Sequence, residues 1–399
     1  MSVKRSPIYG FCLLITLLCS TPAFSENIDI SGFVGVEGRL FTQSPKHTGQ
    51  ENGGEASIIV NPEFRYKKGN NQFSFIPFYR YDGRDSERTH FDIREAYWLH
   101  VKDDWEFLVG LNKVFWGVAE SRHLVNIINQ TDQVEDLDGE DYLGQPMINI
   151  AKYTDYGRFS VFILPGFRER TFQGVNGRLR AATLVDTHNA VYESGAEDKH
   201  VDFAARWSHY FGDWDVGLSY FYGTSREPRL VLNTPATRFV PFYDIISQVG
   251  LDLQYTRDAW LWKLEAIGRE GQGESFSAVT AGFEYTFYQI RNTAADLGLL
   301  TEYHFDGRHD DAPFVAFDND VFAGVRLALN DIQDTSLLAG FSIDTDTAET
   351  FYNLEAERRF GENYTAELRA RFFTGSDAGE DGFETDKDDY IQLRLSRYF

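Results

Sequence analysis

The feature that most constrains this chain is a period of two in hydropathy, repeated in segments of nearly one length. In 71–82, Phe73, Phe75, Pro77, Tyr79 and Tyr81 share one face of an extended segment, with Ser74, Ile76, Phe78 and Arg80 on the other. In 202–211 the contrast is sharper: Phe203, Ala205, Trp207, His209 and Phe211 oppose Asp202, Ala204, Arg206, Ser208 and Tyr210. Near the end, Ile391, Leu393 and Leu395 oppose Gln392, Arg394 and Ser396. Successive side chains of a strand point to opposite faces, so this alternation builds a wall that is apolar on one side and polar on the other. Each segment has about the 9–11 residues that a tilted membrane strand needs.

Eighteen such segments can be marked, with sixteen as the nearest alternative count. They fall at 28–41, 55–67, 71–82, 91–101, 105–116, 146–154, 158–165, 200–211 and 214–224. A second series falls at 241–256, 259–270, 275–289, 296–306, 317–330, 334–346, 350–360, 362–375 and 387–399. Their connections mostly alternate between tight turns, such as 102–104 and 212–213, and long loops, above all 117–145 and 166–199; 271–274 and 347–349 break the pattern by being short. The expected fold is therefore all-β: a transmembrane antiparallel up-and-down β-barrel of about 18 strands, with short periplasmic turns and long extracellular loops. No repeat, low-complexity linker or composition break marks a second domain, so 26–399 reads as one barrel domain.

Residues 1–25 read as a cleaved signal peptide: Lys4 and Arg5 precede an apolar stretch from Phe11 to Leu18, and a small-x-small ending falls at Ala23, Phe24 and Ser25. That stretch is shorter than a membrane-spanning helix, and no later apolar run is long enough for one. Cys12 and Cys19 both lie inside the signal, which leaves no thiol for a disulfide, a thiolate metal site or a nucleophile. Cys19 as a lipoprotein anchor is the rival, weakened by Leu18 where a small residue is wanted.

With Lys4 and Arg5 taken from the 38 basic residues, 36 remain against 61 acidic ones. That balance argues against nucleic acid and against a polybasic membrane-surface protein. The chain has 34 Phe, 21 Tyr and 7 Trp, which suits apolar residues spread along alternating strands. Trp98, Trp105, Trp116, Trp207, Trp214, Trp260 and Trp262 fall near the ends of the marked segments, where an interfacial girdle is expected; a sugar-stacking track is the alternative.

The chain closes with Tyr390-Ile-Gln-Leu-Arg-Leu-Ser-Arg-Tyr-Phe399, which resembles the terminal strand of Gram-negative outer-membrane barrels. The resemblance implies that Phe399 is part of the signal read by the barrel-assembly machinery. A second passage, Val109-Gly-Leu-Asn-Lys-Val-Phe-Trp-Gly-Val-Ala-Glu-Ser121, is similar to the strand, WG and loop passage of several porin-like families. It implies an outer-membrane porin-like channel for passive diffusion of small solutes or ions. It also suggests a homotrimer, by analogy with general porins, set among outer-membrane lipid and lipopolysaccharide.

The loop 117–145 is then the third outward one, which in general porins folds into the lumen as a constriction. Its start has helical spacing, with Val118, Leu124, Ile127 and Ile128 on one face. Its second half carries Asp132, Glu135, Asp136, Asp138, Glu140 and Asp141, a set that would favour cations or dipolar solutes in a pore. Arg80, Arg94, Arg359, Arg369, Arg371 and Arg394 sit on expected inward faces and would form a basic arc once the first and last strands meet. An acidic loop facing that arc would set a transverse field. Alternatively, Glu355, Glu357 and Glu367 pair with the late arginines across neighbouring strands, and the acidic run is a solvated outer loop or a divalent-cation site.

Ser121 and His123 invite a nucleophile-and-base reading, but they lie two residues apart with no orienting partner singled out, and no G-x-S-x-G or H-E-x-x-H is present. The expectation is a channel and not an enzyme, with no catalytic residue, cofactor or metal assigned. A plugged structural or adhesion barrel, with 166–199 as an external contact surface, is the alternative; an outer-membrane hydrolase ranks below it.

Overall fold

The structure, a computed structural model, describes residues 27–50, 52–375 and 385–399. The signal-peptide reading of 1–25, with its two cysteines, lies outside the described residues. Eighteen antiparallel strands form one closed sheet. In chain order the first seven are β1 (Ile28–Phe41), β2 (Gly54–Lys68), β3 (Asn71–Asp82), β4 (His90–Lys102), β5 (Trp105–Asn112), β6 (Gln145–Thr154) and β7 (Gly157–Pro165). A two-residue strand, β8 (Val191–Tyr192), precedes β9 (Val201–Phe211) and β10 (Trp214–Thr224). Two further short strands, β11 (Arg229–Leu232) and β12 (Phe239–Tyr243), join β8 in a separate three-stranded sheet. The barrel resumes with β13 (Ile245–Arg257), β14 (Trp260–Glu270), β15 (Phe276–Phe287), β16 (Asp296–Asp306) and β17 (Asn319–Ala328). It finishes with β18 (Ser336–Asp344), β19 (Thr350–Phe360), β20 (Tyr364–Thr374) and β21 (Tyr390–Tyr398).

Closure is made by β1 against β21, in register from Phe33 opposite Tyr398 to Phe41 opposite Tyr390. Every barrel strand thus has two hydrogen-bonded neighbours and no edge is left open, which is what lets strands cross lipid. No helix among the described residues is long and apolar enough to cross a membrane.

The two faces are sorted as the alternation predicts, with the apolar one outward. On β1, Val36 and Leu40 are exposed while Glu37 and Arg39 are buried; on β21, Ile391, Leu393 and Leu395 are exposed while Gln392 and Ser396 are buried. In water that arrangement would be inside out. Against lipid it is the low-energy one, since the polar face is covered from within the barrel.

Four expectations need correction. The segment 105–116 stops being a strand at Asn112, because the chain there leaves the wall for the interior. The segment 241–256 is two strands, β12 and β13, separated at Asp244, whose carboxylate takes a two-point contact from Arg229. The start of the third long loop is not helical: the three helices among the described residues are 3-10 turns elsewhere. Its apolar residues pack one at a time against the wall, and their carboxylate-capped backbone has no need of helical hydrogen bonds. Trp116 does not join a girdle, being buried inside the barrel, whereas the other six tryptophans cluster at the short-turn end.

Candidate functional site in the barrel lumen

Residues 113–144 cross the interior between two opposed stretches of wall. The first half makes an apolar contact: Trp116, Leu124, Val125, Ile127 and Ile128 pack on inward residues of β5–β7, β9, β10 and β13–β15, including Leu108, Met147, Phe221 and Ile267. The chain turns in at Gly117, whose φ of 134° is one that side-chain-bearing residues rarely adopt. A Cβ there would lie 2.8 Å from Glu265 Oε1, so glycine is required for the approach.

Two wall carboxylates receive this half of the loop. Glu265 on β14 accepts the backbone N–H groups of Val118 at 2.7 Å, Ala119 at 2.9 Å and Val125 at 3.1 Å. Glu302 on β16 accepts those of Glu120 at 2.7 Å and Ser121 at 2.9 Å. These charge-assisted bonds satisfy backbone donors that neither a helix nor a sheet would supply here. Ser121 Oγ donates to Glu302 at 2.6 Å and lies 2.9 Å from His304 Nε2, while His123 turns away to Glu140 at 3.0 Å. Ser121 and His123 therefore do not form a pair; the hydroxyl is an anchor.

The second half meets the wall made by β1, β3, β4, β20 and β21. Arg94 reaches Asp132 at 2.6 Å. Glu135 is gripped by Arg80 through two nitrogens, and Arg80 also donates to Glu37 at 2.8 Å. Arg369 lies 2.9 Å from Asp136, and Arg371 lies 3.3 Å from Asp136 and 2.7 Å from Asp138. Arg394 pairs with Glu37 at 2.7 Å and with Glu367 at 3.4 Å.

The structure thus brings Asp132, Glu135, Asp136 and Asp138 into contact with Arg80, Arg94, Arg369 and Arg371. The transverse-field arrangement is corrected accordingly: these charges meet as close pairs and do not face one another across water. Arg394 neutralises Glu37 and not the loop. Arg359 stands apart at the short-turn end of β19, exposed and 2.5 Å from Asp334, because the loop does not reach that depth. Cross-strand pairing of late arginines and glutamates is present as well, in Arg371 with Glu355 at 3.3 Å.

Electrostatics differ along the loop. Burial disfavours the Asp132 carboxylate, but His90 and Arg94 hold its pKa well below the usual range. Burial likewise opposes Asp136, and Arg371, Arg39 and Arg369 outweigh it; Asp138 beside it is pushed up by burial and by the Asp136 charge. Asp141 is raised to about 7 by burial and by Glu135, Asp138 and Asp136. Burial alone would lower His123, yet the carboxylates of Glu140 at 3.0 Å and Glu265 at 3.9 Å lift it to about 10.

Sequence reasoning missed the part played by 166–199, which it named only as an external contact surface under the alternative of a structural or adhesion barrel. This segment lies on the inward loop: Thr171 Oγ1 donates to Asp132 at 2.7 Å, Gln173 Nε2 donates to the Val134 carbonyl at 3.2 Å, and Arg168 pairs with Asp92 at 2.6 Å. The one sign of this was the run of Arg168, Arg170, Arg178 and Arg180 in an otherwise acidic chain. Glu37, Glu265 and Glu302 were also missed, although a carboxylate in mid-strand on the polar face was there to be noticed.

Wall coverage is uneven. The side chains of Arg326 on β17 and Glu355 on β19 remain 39% and 36% exposed, against 2% for Arg371 on β20. Among the described residues Arg326 and Glu355 thus give the wall at β17 and β19 a solvent-accessible polar stretch, bordered by Glu120 of the loop, which Arg326 meets at 2.6 Å.

A closed 18-stranded antiparallel barrel with an apolar outer face and an inward third loop defines the chain as a porin-like transmembrane β-barrel in its fold. Solved structures agree with that class. The chain is similar to a BenF-like porin from Pseudomonas fluorescens Pf-5, at 11% identity and a TM-score of 0.53 over 94% of this chain and 99% of that one. It is similar to Pseudomonas aeruginosa OccK3 (OpdO), at 11% identity and 0.52 over 93% and 95%. It is also similar to Wzi of Escherichia coli, described as an outer-membrane protein involved in group 1 capsule assembly and a carbohydrate-binding β-barrel, at 10% identity and 0.55 over 92% and 84%. No protein-family model matches the sequence, and no curated protein matches it either.

Proposed function

We propose that this chain is an outer-membrane channel for passive diffusion of small solutes or ions, narrowed by its third loop. The observation that carries the reading is the loop pinned across the lumen by Glu265 and Glu302 on one side and Arg80, Arg94, Arg369 and Arg371 on the other, with a polar stretch of wall at β17 and β19 left accessible. Pore-lining charge sets which solutes pass. Here Arg326, Arg369 and Arg394 are interspersed with Glu120, Glu284, Glu355 and Glu367, which suits small polar or zwitterionic solutes and a mild cation preference. Asp132, Glu135, Asp136 and Asp138 act by holding the constriction in shape.

The same reading takes 1–25 as an export signal, 26–399 as a single barrel domain, Phe399 as the residue presented to the assembly machinery, and a homotrimer in lipid and lipopolysaccharide as the working form. It places the chain among channels and not hydrolases, because Ser121 Oγ is committed to a carboxylate that also takes two backbone donors.

One observation favours a second reading. The 113–144 loop is seated on an apolar cluster inside the barrel and 166–199 is bonded over its second half, an arrangement that a plugged structural or adhesion barrel would also use. Single-channel recording of the refolded mature protein in planar bilayers separates the two: steady conductance with a KCl reversal potential supports the channel, and a folded barrel that never conducts supports the plug.

A further inference from the structure

A third cluster of charge lies outside the loop contacts. Asp320 is the second residue of β17 and Asp318 lies just before the strand, while strand register sets Asp320 directly opposite Asp344 at the end of β18, on the same face of the wall. Each of the three has a carboxylate oxygen within 4.8 Å of one from each of the others. Like charges directly opposed across strands are destabilising, yet among the described residues no lysine or arginine pairs with any of these three aspartates. The contrast is with Asp306 close by, which takes Arg122 at 2.5 Å and Arg308 at 2.8 Å.

The second observation is an orphaned oxygen. Asp320 is only 3% exposed and its Oδ2 has no hydrogen-bond partner, while Oδ1 receives only a long 3.5 Å contact from Ser342 Oγ. A buried carboxylate oxygen left without a partner carries the full cost of its desolvation with nothing to offset it. Asp344 is already oriented, since its Oδ1 accepts the N–H groups of Asp346 at 2.7 Å and Thr347 at 2.6 Å.

We propose that Asp318, Asp320 and Asp344 form a divalent-cation site of the Ca²⁺ class at the long-loop rim of the lumen. All-carboxylate donors select hard cations. Oxygens on one Ca²⁺, at about 2.3–2.6 Å each, stand up to about 5 Å apart, whereas Mg²⁺ at about 2.1 Å allows about 4.2 Å and demands near-octahedral order. The donors spread over a loop and two strand ends suit the larger, more tolerant ion, with water completing the shell. Asp320 lies on the inward face, so the ion sits on the passage side of the wall and not against lipid headgroups. It ties loop 307–318 to the 345–349 turn and thereby sets the shape of the mouth. With the ion open to the outer medium, affinity in the ~0.1–1 mM range of extracellular Ca²⁺ modules is expected.

The test is ⁴⁵Ca²⁺ equilibrium dialysis of the mature protein folded in detergent, free of lipopolysaccharide and stripped of metal. Saturable uptake by the wild type is expected, weakened at least tenfold in Asp320→Asn and in the exposed-loop variant Asp318→Asn, and unchanged in Glu274→Gln. Folding of each variant is checked by its heat-dependent gel mobility, and Asp318→Asn decides the matter should Asp320→Asn not fold. Absence of saturable uptake up to 10-fold above the expected range, or uptake unaltered in the folded aspartate variants, would overturn the site. Neither outcome bears on whether the barrel conducts.

Discussion

Arg80 and Glu135 meet with two nitrogens on two oxygens, Nε to Oε1 at 2.8 Å and Nη2 to Oε2 at 2.5 Å, with the arginine side chain wholly buried and the glutamate nearly so. The pair joins the long-loop end of β3 to the second half of a loop that entered the lumen from β5. Its guanidinium is shared with Glu37, which in turn accepts from Arg88 and Arg394. Removing one partner of such a buried pair leaves the other charge uncompensated, at a cost of about 3–5 kcal/mol. Glu135→Ala should therefore free the acidic half of the loop, seen as faster proteolysis within 132–141 and noisier single-channel current. Current and cleavage identical to wild type would show that the pair does not hold the loop.

The carboxylates of Glu265 and Glu302 anchor the other half through five backbone donors. Glu302→Gln keeps the shape but leaves one acceptor oxygen in place of two, so it loses the backbone N–H of either Glu120 or Ser121 and turns the bonds that remain into neutral, weaker ones. Larger conductance with little loss of barrel stability is the expected result, because the wall itself keeps its strand pairing. Reduced conductance would mean that the released loop collapses across the passage.

Charge reversal discriminates contact from steering. Arg369 is partly accessible and Arg371 is not, so Arg369→Glu should shift the KCl reversal potential toward cations at the loss of one of the contacts to Asp136, with Arg80, Arg94 and Arg371 still holding the loop, while Arg371→Glu should remove the buried contacts to both Asp136 and Asp138. An unchanged reversal potential in Arg369→Glu would remove this arc from the selectivity mechanism.

The pH dependence of loop seating follows from two groups. His123 is held at about 10, above its ordinary 6.5, so its ion pairing is fully present below about pH 6.5 and is lost as pH rises through 10. Asp141 stands at about 7, above its ordinary 3.8, so its stabilising neutral form is present below about pH 4 and lost as pH rises through 7. Both weaken the seat toward alkaline pH. Hydrogen exchange of 132–141 should accelerate between pH 6 and 10 beyond the intrinsic base-catalysed rise, and His123→Gln should abolish the upper part of that change. A flat corrected profile would contradict it.

Much of the barrel was legible because lipid and water read each strand locally. Strands such as 71–82, 214–224 and 350–360 have the bounds that alternation alone suggests. The strand pair β8 and β12 was not legible, since two parallel residues leave no periodicity. Nor was the register slip of β4 against β3 beside Pro77, where Arg94, expected inward and found inward, is the extra residue. That bulge turns both Arg94 and its neighbour Glu95 inward, against strict alternation.

The amino-acid sequence by itself determined the wall: period-two patterning assigns a face to each side chain from its immediate neighbours, and the length of each run fits the membrane. Only the tertiary structure decided the interior. Which carboxylate meets which arginine depends on where closure of β1 on β21 places the strands and on the path a loop takes across the lumen. Arg371 and Asp138 are 233 residues apart in the chain and 2.7 Å apart in space. Local hydropathy carries no record of that distance, because ion pairing is set by the three-dimensional course of the chain and not by the face a residue occupies.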